Sequence, residues 1–349
     1  CMKRLYDFNY DQMQQMAIEH GWKGYRGHQI FQWLYRNRVF EIAEMSNLSK
    51  DTRDILEGEF IINPLKLVTK QISHDGTTKF LFQTEDGALL ESVMMVFDYG
   101  NSVCVSSQVG CNMGCAFCAS GLTKKSRDLT SAEMVAQVLY VQKYLDEREE
   151  RLSHIVVMGT GEPFDNYDNV MNFLSTVNHD RGLGIGSRHI TISTCGIVPK
   201  IYDFANEHTQ YNLAISLHAP NDTLRNQLMP VNKAYPLDEL MKALDYYSEE
   251  NNRRLTFEYI LLKGVNDKKE HARQLSKLLK GKNAYINLIP YNSVDEKDFK
   301  SVTHDEAMVF YDLLMKNNVR CTIRKEHGDD IDAACGQLRI KQIRKDANS

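Results

Sequence analysis

The chain has 349 residues, 42% of them hydrophobic and 25% charged, with a formal net charge of −4, which suits one large α/β-sized domain plus an accessory one and excludes a uniformly basic nucleic-acid binder, though not local basic patches. No apolar run approaches the roughly 20 residues that a membrane helix needs, and no membrane partner is expected. Eight cysteines in a chain that opens on no signal-peptide pattern read as metal or redox chemistry rather than a disulfide scaffold, with the cytoplasm as the expected compartment and a monomer as the default state.

The first 64 residues read as a helical accessory domain. Residues 10–20 form a short amphipathic candidate, and residues 27–40 form another, with Ile30, Trp33 and Leu34 at helical spacing. Lys23, Arg26, His28, Arg36 and Arg38 are interleaved there with Trp22, Tyr25, Phe31 and Tyr35. Two readings fit: a small bundle with a solvated face, or a basic and aromatic patch that faces nucleic acid. Residues 65–97 then change character. The runs LKLVTKQI, KFLFQ and LLESVMMVF are separated by His-Asp-Gly and Glu-Asp-Gly turn signals, so this stretch predicts a β-hairpin extension.

Residues 98–349 predict the catalytic domain. Short strands are expected over 102–107, 154–158, 189–193, 212–216, 255–260 and 284–289. Helices lie between them, such as 131–147, which opens on a Thr130-x-x-Glu133 capping box. Six strands alternating with crossovers imply parallel pairing, in an α/β barrel or an open sheet.

Cys111, Cys115 and Cys118 are spaced C-x3-C-x2-C. On a helix that spacing would make one apolar stripe. Gly110, Asn112 and Gly114 oppose a helix and suit a loop wrapped around something. A zinc site is one alternative, but structural zinc takes four ligands and no Cys or His closes the shell nearby in sequence. A [4Fe–4S] cluster held by three thiolates leaves one iron open to a small molecule. The loop would follow the first barrel strand, at the C-terminal end where barrel chemistry sits.

The three-cysteine spacing, with the aromatic Phe117 just before the last Cys, resembles the radical S-adenosylmethionine (SAM) superfamily. The resemblance implies a partial (β/α)6 barrel whose open iron binds SAM and cleaves it to a 5′-deoxyadenosyl radical. In GTGEP, Gly161 and Glu162 resemble the superfamily's Gly-Glu motif, which holds the methionine ammonium. Ser193 at the end of HITIS, Ser216, Leu217 and His218 at the end of LAISLH, and Asn292 at the end of INLIPYN sit at predicted C-terminal strand ends, where barrel cofactors bind.

Further motifs narrow the resemblance. CVSSQVGC carries Cys104, DIDAACGQL carries Cys335 and LLES carries Glu91; with MGTGEPFDN and SLHAPND they resemble the RlmN/Cfr family of RNA adenine methyltransferases over nearly the whole chain. The resemblance implies that Cys335 takes a methyl group from one SAM and that a radical from a second SAM activates it towards adenine. Glu91 then removes the ring proton, and Cys104 resolves the adduct through a transient disulfide with Cys335. It also implies 23S rRNA and tRNA substrates and an electron donor such as flavodoxin. Two features weigh between the family's branches. Pro163 favours methylation of carbon 2 over the carbon-8 branch that confers antibiotic resistance, while Thr160 stands where Met is usual in both. A non-catalytic, zinc-bound RNA-binding protein remains as an alternative class, but it leaves Cys104 and Cys335 without a role. The tail RIKQIRK (Arg339, Lys341, Arg344, Lys345) is a second candidate RNA contact; Cys195 and Cys321 read as core cysteines, and Cys1 as incidental.

Overall fold

A computed structural model of the chain describes residues 2–294, 296–332 and 337–347. Its centre is a ten-stranded sheet made of β1 (Leu65–Ile72), β2 (Thr78–Thr84), β3 (Leu89–Phe97), β4 (Gly100–Cys104), β5 (Leu152–Val157), β6 (Ile190–Thr194), β7 (Asn212–Ser216), β8 (Leu255–Leu261), β9 (Ala284–Pro290) and β10 (Arg320–Ile323). The order in the sheet follows the order in the chain, from β1 at one edge to β10 at the other. From β4 to β10 every neighbour is parallel, while β1 to β4 pair antiparallel. The sheet is therefore an α/β partial barrel carrying an antiparallel extension on one edge.

All six predicted barrel strands are present. The first is shifted: residues 100–104 pair, while Ser106 and Ser107 leave the ladder for loop contacts. A seventh parallel strand, β10, was not expected; it has four residues and only one paired edge. Residues 65–97 do not stand alone. β3 pairs with β4 in register, Val93 opposite Cys104, so the extension is part of the barrel sheet.

Local chemistry explains the helices that flank the site. Helix α1 (Tyr10–Glu19) starts at an Asn9–Gln12 capping box. Helix α2 (Tyr25–Tyr35) stops short of the predicted residue 40. There Arg38 adopts φ of 54° and reaches Asp146 with two hydrogen bonds of 2.5 and 3.0 Å. After α3 (Lys50–Glu59), the long helix α4 (Ser131–Asp146) starts at the expected capping box, with Thr130 N–H bonding Glu133 at 2.9 Å. Asp7 of the accessory domain accepts from the Ala132 N–H at 2.8 Å, in the same first turn. Negative charge is favoured there by the helix dipole. The accessory domain's apolar residues Leu5, Tyr6, Ile30, Phe31 and Leu34 are fully buried in one core cluster with the barrel.

The outer helices α5 (Tyr167–Asn178), α6 (Val198–Asn206), α7 (Asp222–Leu228), α8 (Leu237–Asn251), α9 (Lys269–Leu278) and α10 (His304–Lys316) are connections between the parallel strands; α11 (Gln337–Ala347) closes the chain. Among the described residues no helix is long and apolar enough to cross a membrane.

Candidate active site

Residues 105–125 form the loop at the C-terminal end of β4. Cys111, Cys115 and Cys118 lie outside any α-helix, as Gly110 (φ 81°) and Gly114 (φ 67°) foretold. A Cβ at Gly110 would overlap the Lys124 carbonyl, so only glycine lets the two arms of the loop approach this closely. The loop is pinned from several sides. Cys111 N–H donates to Thr123 O at 3.1 Å, Ala116 N–H donates to Leu228 O at 2.9 Å, and Tyr291 Oη reaches Phe117 O at 3.4 Å.

Burial pushes the Cys111 thiol up to about 11, with nearby Cys118, Glu162 and Asp165 acting in the same direction. Burial, then Cys118 and Cys111, raise Cys115 further still. Thiols as reluctant to ionise as Cys111 and Cys115 give up their protons when a cation takes the sulfurs as ligands. Three cysteine sulfurs on one loop are the donor set that a [4Fe–4S] cluster takes when one of its irons is left open, and the loop fits that group.

Beneath the loop lies a cation the sequence did not signal. Arg225 on α7 is fully buried. It donates to Leu217 O (3.1 Å), Ser216 O (3.1 Å), Cys195 O (2.6 Å) and Asn232 Oδ1 (2.9 Å). Burial lowers it to about 10, and the Cys195 and Cys115 sulfurs pull in the opposite direction. It ties together the strand ends that carry the proposed SAM contacts and places positive charge near the thiols.

A cavity of about 320 Å³ opens beside the loop. Cys118, Ser193, Ser216, His218 and Asn292 line it. Ser193 and Ser216 sit 3.5 Å apart across adjacent strands. His218 has φ of 57°, and its Nδ1 accepts from the Ile260 N–H at 3.0 Å. Burial, and then Arg225, hold it down to about 3. It is therefore a neutral imidazole with its proton on Nε2, a donor ready for a ligand.

Three of the expected SAM-contacting residues do not line this cavity. Leu217 is fully buried in the core. Gly161 (φ 110°) lies against Gln108, where a Cβ would come within 2.6 Å of the Gln108 Cβ. Glu162 is buried and both its oxygens are taken: Oε1 accepts from the Phe164 N–H at 3.0 Å and Oε2 from the Cys195 N–H at 2.8 Å. Burial raises its pKa, and these hydrogen bonds work against the rise. The GTGEP loop is also stitched to the loop after β4. Gln108 Oε1 accepts from Glu162 N–H at 2.9 Å, and Ser106 Oγ from Thr160 N–H at 3.0 Å.

The same Ser106 hydroxyl donates to the Glu91 carbonyl at 2.7 Å. Glu91 thus hangs from the network that sets the cysteine loop. Its side chain is buried and shares a strand face with Val93 and Met95, both of which line the cavity. Glu91 does not line it. Its Oε2 lies 2.9 Å from Lys79 Nζ, whose side chain is fully buried, and its Oε1 accepts from the Arg339 N–H in the first turn of α11 at 2.5 Å. The Glu91 carboxylate is thus enclosed by protein groups rather than on a wet strand face. Cys104, opposite Val93, is buried in a small cluster with Val93 and Met95, against which Met158 packs. Cys335 lies outside the described residues. The segment leading to it bridges the open side of the barrel to β1 and its turn, where Asp332 N–H donates to Gln71 Oε1 at 3.1 Å and Gly328 N–H to Asp75 Oδ2 at 3.1 Å. Cys195 and Cys321 are buried, as expected of core cysteines.

Comparison with known proteins decides the family. Residues 3–62 match the ribosomal RNA large subunit methyltransferase N-terminal domain, and residues 105–275 match the radical SAM superfamily. A probable dual-specificity RNA methyltransferase RlmN of Listeria welshimeri is 56% identical over 98% of this chain and 94% of its own length. Its counterpart in Enterococcus faecalis is also 56% identical, over 98% of this chain and 97% of its own. The chain belongs to the RlmN family of radical SAM RNA methyltransferases. A radical SAM methyltransferase of Sphaerobacter thermophilus, known from its crystal structure, superposes with a TM-score of 0.93 at 41% identity, covering 97% of this chain and 99% of that one. Membership implies the [4Fe–4S] cluster and SAM, and the cysteine loop fits the former. As an RlmN-family chain, it carries a match to the N-terminal domain and a match to the radical SAM superfamily along one polypeptide.

Proposed function

We propose that this chain methylates carbon 2 of adenosine in RNA, at one site in 23S rRNA and at the adenosine 3′ of the anticodon in tRNA. The observation that carries the proposal is the full-length likeness to RlmN dual-specificity methyltransferases, which includes the accessory domain. Cys111, Cys115 and Cys118 would hold the cluster. Ser193, Ser216, His218 and Asn292 would face SAM, and Gly161, Glu162 and Leu217 would support them through the backbone. When bound, the cluster and SAM supply a deoxyadenosyl radical.

The rest is protein chemistry. Cys335 carries the methyl group as a thioether. Once that carbon is joined to the base, Glu91 accepts the ring proton. The Cys104 thiolate then attacks the Cys335 sulfur; the S–S bond forms as the S–C bond breaks, and the methylene carbon leaves with the electron pair and takes up a proton, which completes the methyl group on the base. Cys104 and Glu91 both point from neighbouring strands to the cavity side of the sheet, which supports this division of labour. Residues 1–64 form the RNA-binding accessory domain, 65–97 the extension that supplies Glu91, and 98–349 the catalytic barrel. The chain acts as a cytoplasmic monomer, with a flavodoxin-like protein as electron donor.

Anaerobically reconstituted protein is incubated with SAM, a reductant and 23S rRNA, and the nucleosides are then analysed by mass spectrometry. The expected product is 2-methyladenosine. 8-Methyladenosine would move the chain to the other branch, and no methylated adenosine would overturn the proposal. A Cys104→Ala variant should accumulate RNA crosslinked through Cys335.

A further inference from the structure

We infer that the RNA docks on the N-terminal mouth of the barrel, the end opposite the cysteine loop, on a rim of unpaired arginines beside an exposed aromatic stack. This rests on the reading of the chain as an RNA methyltransferase.

A second cavity, of about 740 Å³, opens at that mouth. It shares Met95, Met158, Glu258, Arg324 and Lys325 with the cavity beside the cysteine loop, so the two adjoin inside the barrel. Its rim includes Arg188, just ahead of β6, and Arg253 and Arg254, just ahead of β8. Arg188, Arg254, Arg324 and Lys325 are exposed. Among the described residues none of these five cations has a carboxylate within 4.0 Å, whereas Arg4, Arg38 and Arg127 elsewhere are each paired. The one acid in the lining, Glu258, is buried and bonded to Asn287 at 2.9 Å. A chain of net charge −4 thus concentrates free positive charge at one opening.

The rim also offers flat surfaces. Tyr99, 64% exposed, stacks on Phe97 with ring centroids 4.8 Å apart and planes 8° apart. Arg254 lies over the Tyr285 ring at 4.5 Å. Guanidinium groups that are free to take phosphates, next to aromatic faces that can take bases, are what a splayed single strand requires. The adenosine must leave its stack to reach the cavity, and an opening that adjoins that cavity lies on its way.

The accessory domain sits on the loop that leads to this rim. Phe31 and Tyr35 of α2 pack on Gly182, Arg36 donates to Asp180 O at 2.5 Å, and Tyr10 stacks on His179 at 4.1 Å. The basic patch foreseen in the accessory domain is partly used in this packing, since Arg36 and Arg38 both hold barrel groups. At the mouth Asn212 and Met95 hold Arg253 and Arg324, while Arg188 and Arg254, both exposed and with no carboxylate within 4.0 Å among the described residues, are the guanidiniums left for phosphate.

The test is binding of a 23S rRNA hairpin to reconstituted holoenzyme, measured by fluorescence anisotropy over a salt series. An Arg188→Glu/Arg254→Glu variant should raise Kd about tenfold or more and flatten the log–log salt slope by about 1 to 2, as two phosphate contacts are lost. Its iron content and melting temperature should match wild type. Tyr99→Ala should weaken binding with the salt slope unchanged. Should the double variant fold poorly, Arg254→Gln alone should still show a smaller loss. Wild-type affinity and salt slope in folded arginine variants, while the parent methylates RNA, would overturn the inference. A parent that makes no methyladenosine would instead overturn the proposed function.

Discussion

Replacing Lys79 with Met should destabilise the protein far more than the loss of an exposed ion pair would. Lys79 and Glu91 are diagonal neighbours on one face of β2 and β3; Lys79 is opposite Val93, and Glu91 opposite Leu81. The pair is 2.9 Å long, with side-chain exposures of 0% and 4%. Truncating Lys79 takes its ammonium away from a buried carboxylate, and breaking a buried pair from one side costs about 3–5 kcal/mol. That is a large share of the roughly 5–15 kcal/mol that hold a domain together. Glu91→Gln removes the negative charge beside the ammonium instead but keeps an acceptor for the Arg339 N–H. The Lys79→Met/Glu91→Gln double variant removes both charges together. Its loss should fall about 2–3 kcal/mol short of the sum of the singles, a coupling typical of groups in direct contact. Anaerobic urea unfolding of the apoprotein, followed by circular dichroism, measures all three. Single losses under about 1 kcal/mol, or strict additivity, would refute the claim that this pair is an electrostatic unit.

Acid sensitivity should trace partly to His218. Its folded value is about 3 against 6.5 for a free imidazole, so between those pH values the unfolded chain binds a proton that the native state refuses. Its contribution to stability is complete above pH 6.5 and is lost as pH falls; from pH 6.5 to 5, at about 1.4 kcal/mol per unit, the loss is about 2 kcal/mol. His218→Gln should show a shallower acid decline by that amount, and an unchanged decline would contradict it. Gly161→Ala should lose about 2 kcal/mol or more in melting experiments, because a Cβ at φ 110° also meets Gln108. Gly58→Ala, in α3 with nothing within 4 Å of the new Cβ, should instead gain about 0.5–1 kcal/mol. Equal effects at the two glycines would show that the close approach to Gln108 does not matter.

Much of the site was legible because its signals are local. The cysteine spacing and its glycines required a loop, and the loop is there. Period-2 runs bounded by turn residues located six barrel strands, and Thr130-x-x-Glu133 marked the start of α4. β10 escaped because RCTI is too short to show a period. Ser106 and Ser107 looked like strand, yet the hydroxyl of Ser106 and the backbone of both are taken by Glu91, Gln137, Thr160 and Leu129. Arg225 and Lys79 gave no sign. Each is one cation among the 42 lysines and arginines, and nothing next to either in the chain announces burial.

Residue types at short spacing determined the cofactor chemistry, the strand and helix periods and the family of this protein, since a chelating loop or an amphipathic period is complete within a few consecutive residues. Which charges are paired, which face the cavity and which remain free at the barrel mouth was decided by the tertiary structure alone. Glu91 meets Arg339 across 248 positions of chain, and burial and charge depend on such distant neighbours at hydrogen-bond distance.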